Sequence, residues 1–398
     1  MKKLLNSSLL PYIKEHRIAF ALFFLWLSVQ LTLFHFLGIA HGGDTSRYTD
    51  AANYILSEGS LPSGRALDYM GYVLFVTAIF FLGLEEAGVV FFQVILTLVA
   101  SICLYHLTYK LSRDKFASVL SVLLYILAFN LHLWNFYILT DSLFSSMTII
   151  SLYLISHLKN YKQLIYVVPV VLWTASIRPS GFVLLLSLIL LALAYLWKLK
   201  KTKLLLWIFV ISIISLPILF HFLNKVINNI EVVDNYLKGE IIWSYSKNAL
   251  TPPDDIFIDP NYEKNSLMGI ITFTTFNFIY VCKLAVMKLL YFLGHIKPFY
   301  STLHNWLIVI TYYPLYILAM IGISKKTPHF PTKVLLLSYF LGQTAIVILT
   351  FEDWDGRFLE VIMPIVYIFS AIGLAKLLYY FPKIKSLCSS SENNEVYP

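Results

Sequence analysis

The chain reads as an all-α polytopic membrane protein, and three observations predict it. Of its 398 residues 59% are hydrophobic, 16% aromatic and only 13% charged, a composition suited to lipid as the main solvent. Apolar runs near twenty residues recur along most of the length, as a hydrocarbon core of about 30 Å requires at about 1.5 Å per residue. The basic residues fall in short clusters between those runs, where they orient a chain across a bilayer. The net charge of +8 is therefore no sign of a nucleic-acid partner.

The elements follow in order. The first seventeen residues carry Lys2, Lys3, Lys14 and Arg17 with no small-residue cleavage pattern, so the first apolar run is expected to stay as a span. About ten transmembrane helices are expected, near 18–40, 87–109, 116–135, 142–157, 163–178, 180–197, 204–222, 304–323, 333–350 and 358–380. The apolar stretch 71–84 would reach only about 21 Å as a helix, so it is expected to lie in the outer interface. With that choice Lys110, Arg113 and Lys115, the Lys198 to Lys203 cluster, Lys325, Lys326 and Lys333, and Lys383 and Lys385 all face the cytoplasm. Stretch 277–296 is interrupted by Lys283, Lys288 and His295 and is expected to be a second interfacial amphipathic helix. Two large outer loops result, at about 41–86 and 223–303. Residues 1–382 are expected to form one integral-membrane domain, and 383–398 a disordered cytoplasmic tail. Cys103, Cys282 and Cys388 show no disulfide or metal-ligand spacing.

Most acidic residues face outward in this topology, which points to chemistry at the outer surface. Asp44 follows Gly42 and Gly43 where the chain first leaves the lipid, with Arg47 and Tyr48 one helical turn on. It is either a helix cap or a catalytic carboxylate. Asp141, after Thr140, returns to the same side at the mouth of a later span, where a cap is again the alternative. Paired outer carboxylates suit a base with an orienting group, or a base sharing a divalent cation. Arg178, before Pro179, and Arg357, at the head of the last span, are placed to grip a phosphate or else to snorkel. Arg65 is a further candidate for phosphate contact. A transporter or lipid flippase would need charges within the spans, whose interiors are mostly uncharged.

The order of these signals resembles a family. Gly42-Gly43-Asp44-x-x-x-Tyr48, Tyr69-Met-Gly-Tyr72, Thr140-Asp-Ser-Leu143, Ile177-Arg-Pro-Ser-Gly181 and Gly356-Arg-Phe-Leu359 with Pro364 are similar to the GT-C superfamily of membrane glycosyltransferases, especially protein O-mannosyltransferases and lipid A aminoarabinose transferases. The resemblance covers about residues 1–380. It implies a GT-C-like fold and transfer of a hexose or pentose from a polyprenyl-phosphate donor to an envelope glycan, lipid or protein on the extracytoplasmic side. The compact chain and short loops suit a bacterial inner membrane, and the basic clusters place both termini in the cytoplasm. The resemblance also implies catalytic roles for Asp44 and Asp141. Arg47, Tyr48, Arg65, Arg178 and Arg357 are expected to bind substrate, and a divalent metal, if used, to sit on Asp44 and Asp141. The chain departs from the familiar form in having Thr45 after Asp44 rather than an acid pair, and in lacking a large soluble C-terminal domain. A polysaccharide polymerase working on lipid-diphosphate-linked repeats is the nearest alternative.

Overall fold

In the computed structural model the described residues are 2–203, 206–207, 231–243, 245–351, 353 and 355–379, with 2–16 described by their backbone path only. Nearly all of the expected span 204–222, and the tail 383–398, lie outside them. The described residues are helical throughout, apart from loops and one isolated bridge between Ala40 and Tyr137. The helices are α1 Lys2–Leu37, α2 Thr45–Glu58, α3 Met70–Phe81, α4 Glu85–Ser112, α5 Lys115–Ile126, α6 Phe129–Leu133, α7 Thr140–Ser156, α8 Leu164–Ile177 and α9 Phe182–Lys198. After the undescribed stretch come α10 Val232–Leu237, α11 Leu267–Phe276, α12 Phe278–Gly294, α13 Thr302–Ser324, α14 Phe330–Leu349, α15 Arg357–Glu360 and α16 Met363–Leu378.

Six of the described helices are long and apolar enough to cross a membrane, or up to eight if each of two bent pairs counts as one span. About ten were expected, of which the one at 204–222 lies almost wholly outside the described residues. Among the others, α7, α8 and α16 have 17, 14 and 16 residues, short of a full crossing at about 1.5 Å per residue. The run expected at 116–135 is bent by 54° between Lys115–Ile126 and Phe129–Phe136. The second bent pair joins α11 to α12 at 100°, so the helix expected at 277–296 leaves the direction of its predecessor almost at a right angle.

The chain divides into two compact units: unit 1 is Met1–Phe182, Leu315–Phe330 and Met363–Pro398, and unit 2 is Val183–Pro314 and Pro331–Ile362. In unit 1, α4 is the central element, packed against α3, α5, α7 and α16. Glu85 and Glu86 lie in its first turn and Lys110 in its last, charges that oppose the helix dipole at each end. The next helix starts cleanly because the Asp114 side chain accepts hydrogen bonds from the Phe116 and Ala117 amides at 2.9 and 3.2 Å. Helix α7 lies between α4 and α8 and is buried almost all round, including Thr140, Asp141, Ser142, Ser145, Ser146 and Ser151. Its polarity therefore faces protein instead of lipid.

Helix α3 packs against α2, α4 and α8. A 3-10 turn, Gly64–Tyr69, leads straight into it, and together they reach span length. The two ends meet the same short segment, however. Tyr69 at the start lies under the Arg47 guanidinium at 5.8 Å, and Glu86, just beyond the other end, pairs with His41 at 3.0 Å. Both ends of helix α3 thus lie against the segment of unit 1 that carries residues 41–48. Gly71 is required there, because a Cβ would stand 2.5 Å from Ser176 Oγ and 2.8 Å from the Ile177 amide of α8.

Unit 2 has its own apolar cluster of Val233, Tyr236, Ile241, Ile242, Phe273, Tyr280 and Leu284. The Tyr236 hydroxyl donates to the Ile348 carbonyl at 2.7 Å, and the buried Lys288 ammonium donates to the Thr350 carbonyl while lying 4.0 Å from the Tyr236 ring centre. These donors satisfy carbonyls that the end of α14 leaves without helical partners.

Candidate active site

The segment between α1 and α2 is stitched to the segment between α6 and α7. Ala40 N donates to Phe136 O at 2.8 Å and Ile138 N to Ala40 O at 3.2 Å. Thr45 Oγ1 accepts from Gly42 N at 2.9 Å and donates to Ile138 O at 3.2 Å. These bonds place the start of α2, with Asp44, beside the start of α7, with Asp141. Both carboxylates therefore stand at one end of unit 1.

Neither acid acts as a helix cap. Asp44 occupies the cap position of α2, but its side chain makes no capping hydrogen bond; it pairs with Arg47 at 3.1 Å, each side chain 30% exposed. The cap position of α7 belongs to Leu139, and Asp141 lies in the first turn. There Asp141 Oδ1 accepts from Arg178 Nη1 at 2.5 Å, with the two side chains 3% and 10% exposed. Arg178 also rests against the Phe144 ring at 5.8 Å. Its position depends on the turn that follows: Gly181 N bonds to Arg178 O at 2.8 Å, and a Cβ on Gly181 would meet Ala175 O at 2.3 Å. A snorkelling arginine would reach for solvent; this one is directed into the protein by a buried carboxylate.

Tyr48 lies at the centre of the group. Its ring meets Tyr69 edge-on at 5.5 Å and Tyr72 at 4.9 Å. Burial pushes its phenol well above the ordinary value, neighbouring Tyr69, Asp44 and Asp141 push in the same direction, and Arg178 pulls against them. The phenol stays neutral, and both acids and Arg178 lie close enough to act on it. Beneath the group runs a buried polar seam. Tyr72 donates to Gln93 Oε1 at 3.1 Å, Gln93 Nε2 donates to the Asn135 and Tyr137 carbonyls at 2.9 and 3.0 Å, and Asn135 Oδ1 accepts from Ser142 at 2.5 Å. Asn135 Nδ2 donates to Gln30 at 2.8 Å. These bonds fix the side chains above them, although Gln30 Nε2 is buried without a partner. The sequence reading missed the seam; the signal available was Gln30, Gln93 and Asn135 within or beside long apolar runs.

Arg65 is exposed in the 3-10 turn and makes no ion pair among the described residues. Arg357 belongs to unit 2, where its Nε meets Asp353 Oδ2 at 3.0 Å. Among the described residues no three His, Cys, Asp or Glu side chains gather to hold a metal ion, and Asp44 and Asp141 each face a guanidinium. What the arrangement offers is a half-exposed carboxylate, two arginines and an aromatic floor, which suits proton transfer beside a bound anion.

The chain matches no family model, and no curated protein is similar to it.

Proposed function

We propose that the protein is a membrane glycosyltransferase that moves a sugar from a polyprenyl-phosphate donor to an acceptor hydroxyl on the extracytoplasmic side, in the manner of the GT-C enzymes its motifs resemble. The observation that carries this reading is the gathering of Asp44, Arg47, Asp141 and Arg178 around Tyr48 at one end of unit 1.

Asp44 is the base, since its carboxylate is partly open and makes no capping bond. It takes the proton of the acceptor hydroxyl as that oxygen attacks the anomeric carbon. The bond from that carbon to the phosphate oxygen breaks, and the phosphate leaves with the bonding pair. A single displacement of this kind inverts the anomeric centre. Arg47 and Arg178 stabilise the charge that grows on the departing phosphate. Asp141 acts through Arg178: the buried pair fixes where the guanidinium stands, so Asp141 is a positioning residue.

An apolar groove of about 470 Å³ in unit 1 supports a lipid-linked donor. It is lined by Phe34, Ile39, Val90, Phe91 and Phe136 among others, and Ile39 lies just before the Gly42 to Asp44 turn. A prenyl chain in this groove would bring its phosphate to the end of the unit where the arginines stand.

The test uses the purified full-length protein with a polyprenyl-phosphate sugar and, separately, a lipid-diphosphate oligosaccharide. Transfer from the first, lost by about a hundredfold or more in Asp44→Asn, supports the reading. Turnover of the lipid diphosphate alone would assign the site to a polymerase, and full activity of Asp44→Asn would remove the base from the mechanism.

A further inference from the structure

Unit 2 contains a group of buried ionisable side chains that the proposed transfer does not use. Glu360, the last residue of α15, is 4% exposed. Its Oε1 accepts from the Tyr312 hydroxyl at 3.0 Å, and its Oε2 is buried with no hydrogen-bond partner. Burying an ionised carboxylate without a cation costs several kcal/mol, and the usual escape is to keep the proton. One oxygen already accepts a hydrogen bond, so the proton belongs on Oε2.

Among the described residues the surrounding elements supply no countercharge. From α13, Tyr312 contributes a neutral phenol. From the end of α12, His295 stacks on the Tyr312 ring at 5.4 Å; it is 3% exposed, its Nδ1 lacks a partner, and burial first, then Lys297 and His304, lower it to about 3. It is therefore uncharged. Lys297 donates its ammonium to the Asp353 carbonyl at 3.0 Å, and the Arg357 guanidinium on Glu360's own helix is directed to the Asp353 carboxylate. Exposed His304 stacks on Tyr300 at 4.1 Å. The two influences resolved on Glu360 are burial, which raises it to about 7, and the Tyr312 hydrogen bond, which opposes this.

We infer that Glu360 is a proton-binding site of unit 2, with the proton held on Oε2 and Tyr312 fixing the carboxyl. Its ligand is a proton exchanged with solvent: an O–H bond forms at Oε2 on uptake and breaks on release, leaving a carboxylate. The close fit around α15 ties the charge state to the backbone. Gly356, directly before the helix, has φ +71, and a Cβ there would lie 1.9 Å from the His295 ring. A new charge at Glu360 thus appears in a place with little room to rearrange.

The experiment is infrared difference spectroscopy of the purified full-length protein in lipid across a pH series, reading the carbonyl stretch of protonated carboxyl groups. The expected result is a band that is present at weakly acidic pH, disappears with a midpoint near 7 and is missing from Glu360→Gln at every pH. Tyr312→Phe removes the bond that favours the ionised form, so its midpoint should move up, and this variant carries the test alone if Glu360→Gln does not fold. Loss of the wild-type band only near the ordinary carboxylate range, an unchanged spectrum in Glu360→Gln, or a midpoint that stays or falls in Tyr312→Phe would overturn the assignment. None of these readings depends on glycosyl transfer.

Discussion

Replacing Asp141 by Asn tests whether the second acid is a positioning residue. The carboxylate is 3% exposed and meets the Arg178 guanidinium at 2.5 Å, itself 10% exposed. Asn keeps the shape and removes the charge, leaving a buried guanidinium without its counterion. Breaking such a pair from one side typically costs about 3–5 kcal/mol, and the lower end, about 3, is expected for an amide that can still accept a hydrogen bond. The internal comparison is Asp44→Asn, where both partners are 30% exposed at 3.1 Å. Pairs of that kind are worth roughly 0.2–1 kcal/mol. Purified variants in the same lipid, melted with tryptophan fluorescence as the probe, should therefore separate. Asp141→Asn should melt well below wild type and Asp44→Asn beside it, with transfer lost in both. Adding Arg178→Gln to Asp141→Asn should recover part of the lost stability, because the two residues form one unit. If Asp141→Asn melts with wild type, or Asp44→Asn falls as far, the reasoning from burial is refuted.

Three further outcomes are expected. Gly71→Ala forces α3 away from the Ser176 and Ile177 region of α8 and should destabilise by about 1–3 kcal/mol; an unchanged melting point would mean the two helices separate freely. Glu360 has a folded value raised to about 7 against 4.5 when exposed, so the folded state binds its proton more tightly. Its contribution is full below 4.5, declines as pH rises towards 7 and is lost above, a span worth about 3 kcal/mol. Stability measured against pH should carry this slope in wild type and lose it in Glu360→Gln. For sidedness, a cysteine at Ser60 should react with an impermeant reagent from outside intact cells and one at Thr202 should not; the reverse pattern would invert the proposed orientation.

Much of the fold could be read from one-dimensional pattern. Apolar run length identifies α1, α4, α9, α13 and α14 as helices of span length, because lipid demands internal backbone pairing over a fixed thickness. Run length is less telling where a helix is buried in protein. Helix α7 has its serines and Asp141 enclosed by neighbouring helices, and the run after α5 is bent by 54°, features that hydrophobicity alone does not reveal. The candidate site was legible as residue types: Asp44 after two glycines, Asp141 after Thr140, and Arg178 before Pro179.

What each of those residues does was decided by tertiary structure. Sequence offered cap or catalyst for Asp44 and for Asp141 alike, since local spacing is the same for both uses. The choice depends on a hydrogen bond not made by Asp44 and on a guanidinium that reaches Asp141 from 37 positions further along the chain. The proton-binding character of Glu360 was equally hidden, because a carboxyl's charge is set by the water and partners around it, and those come from α12, α13 and α15 together. Composition and periodicity determine that a segment is buried; only packing decides what a buried polar group faces.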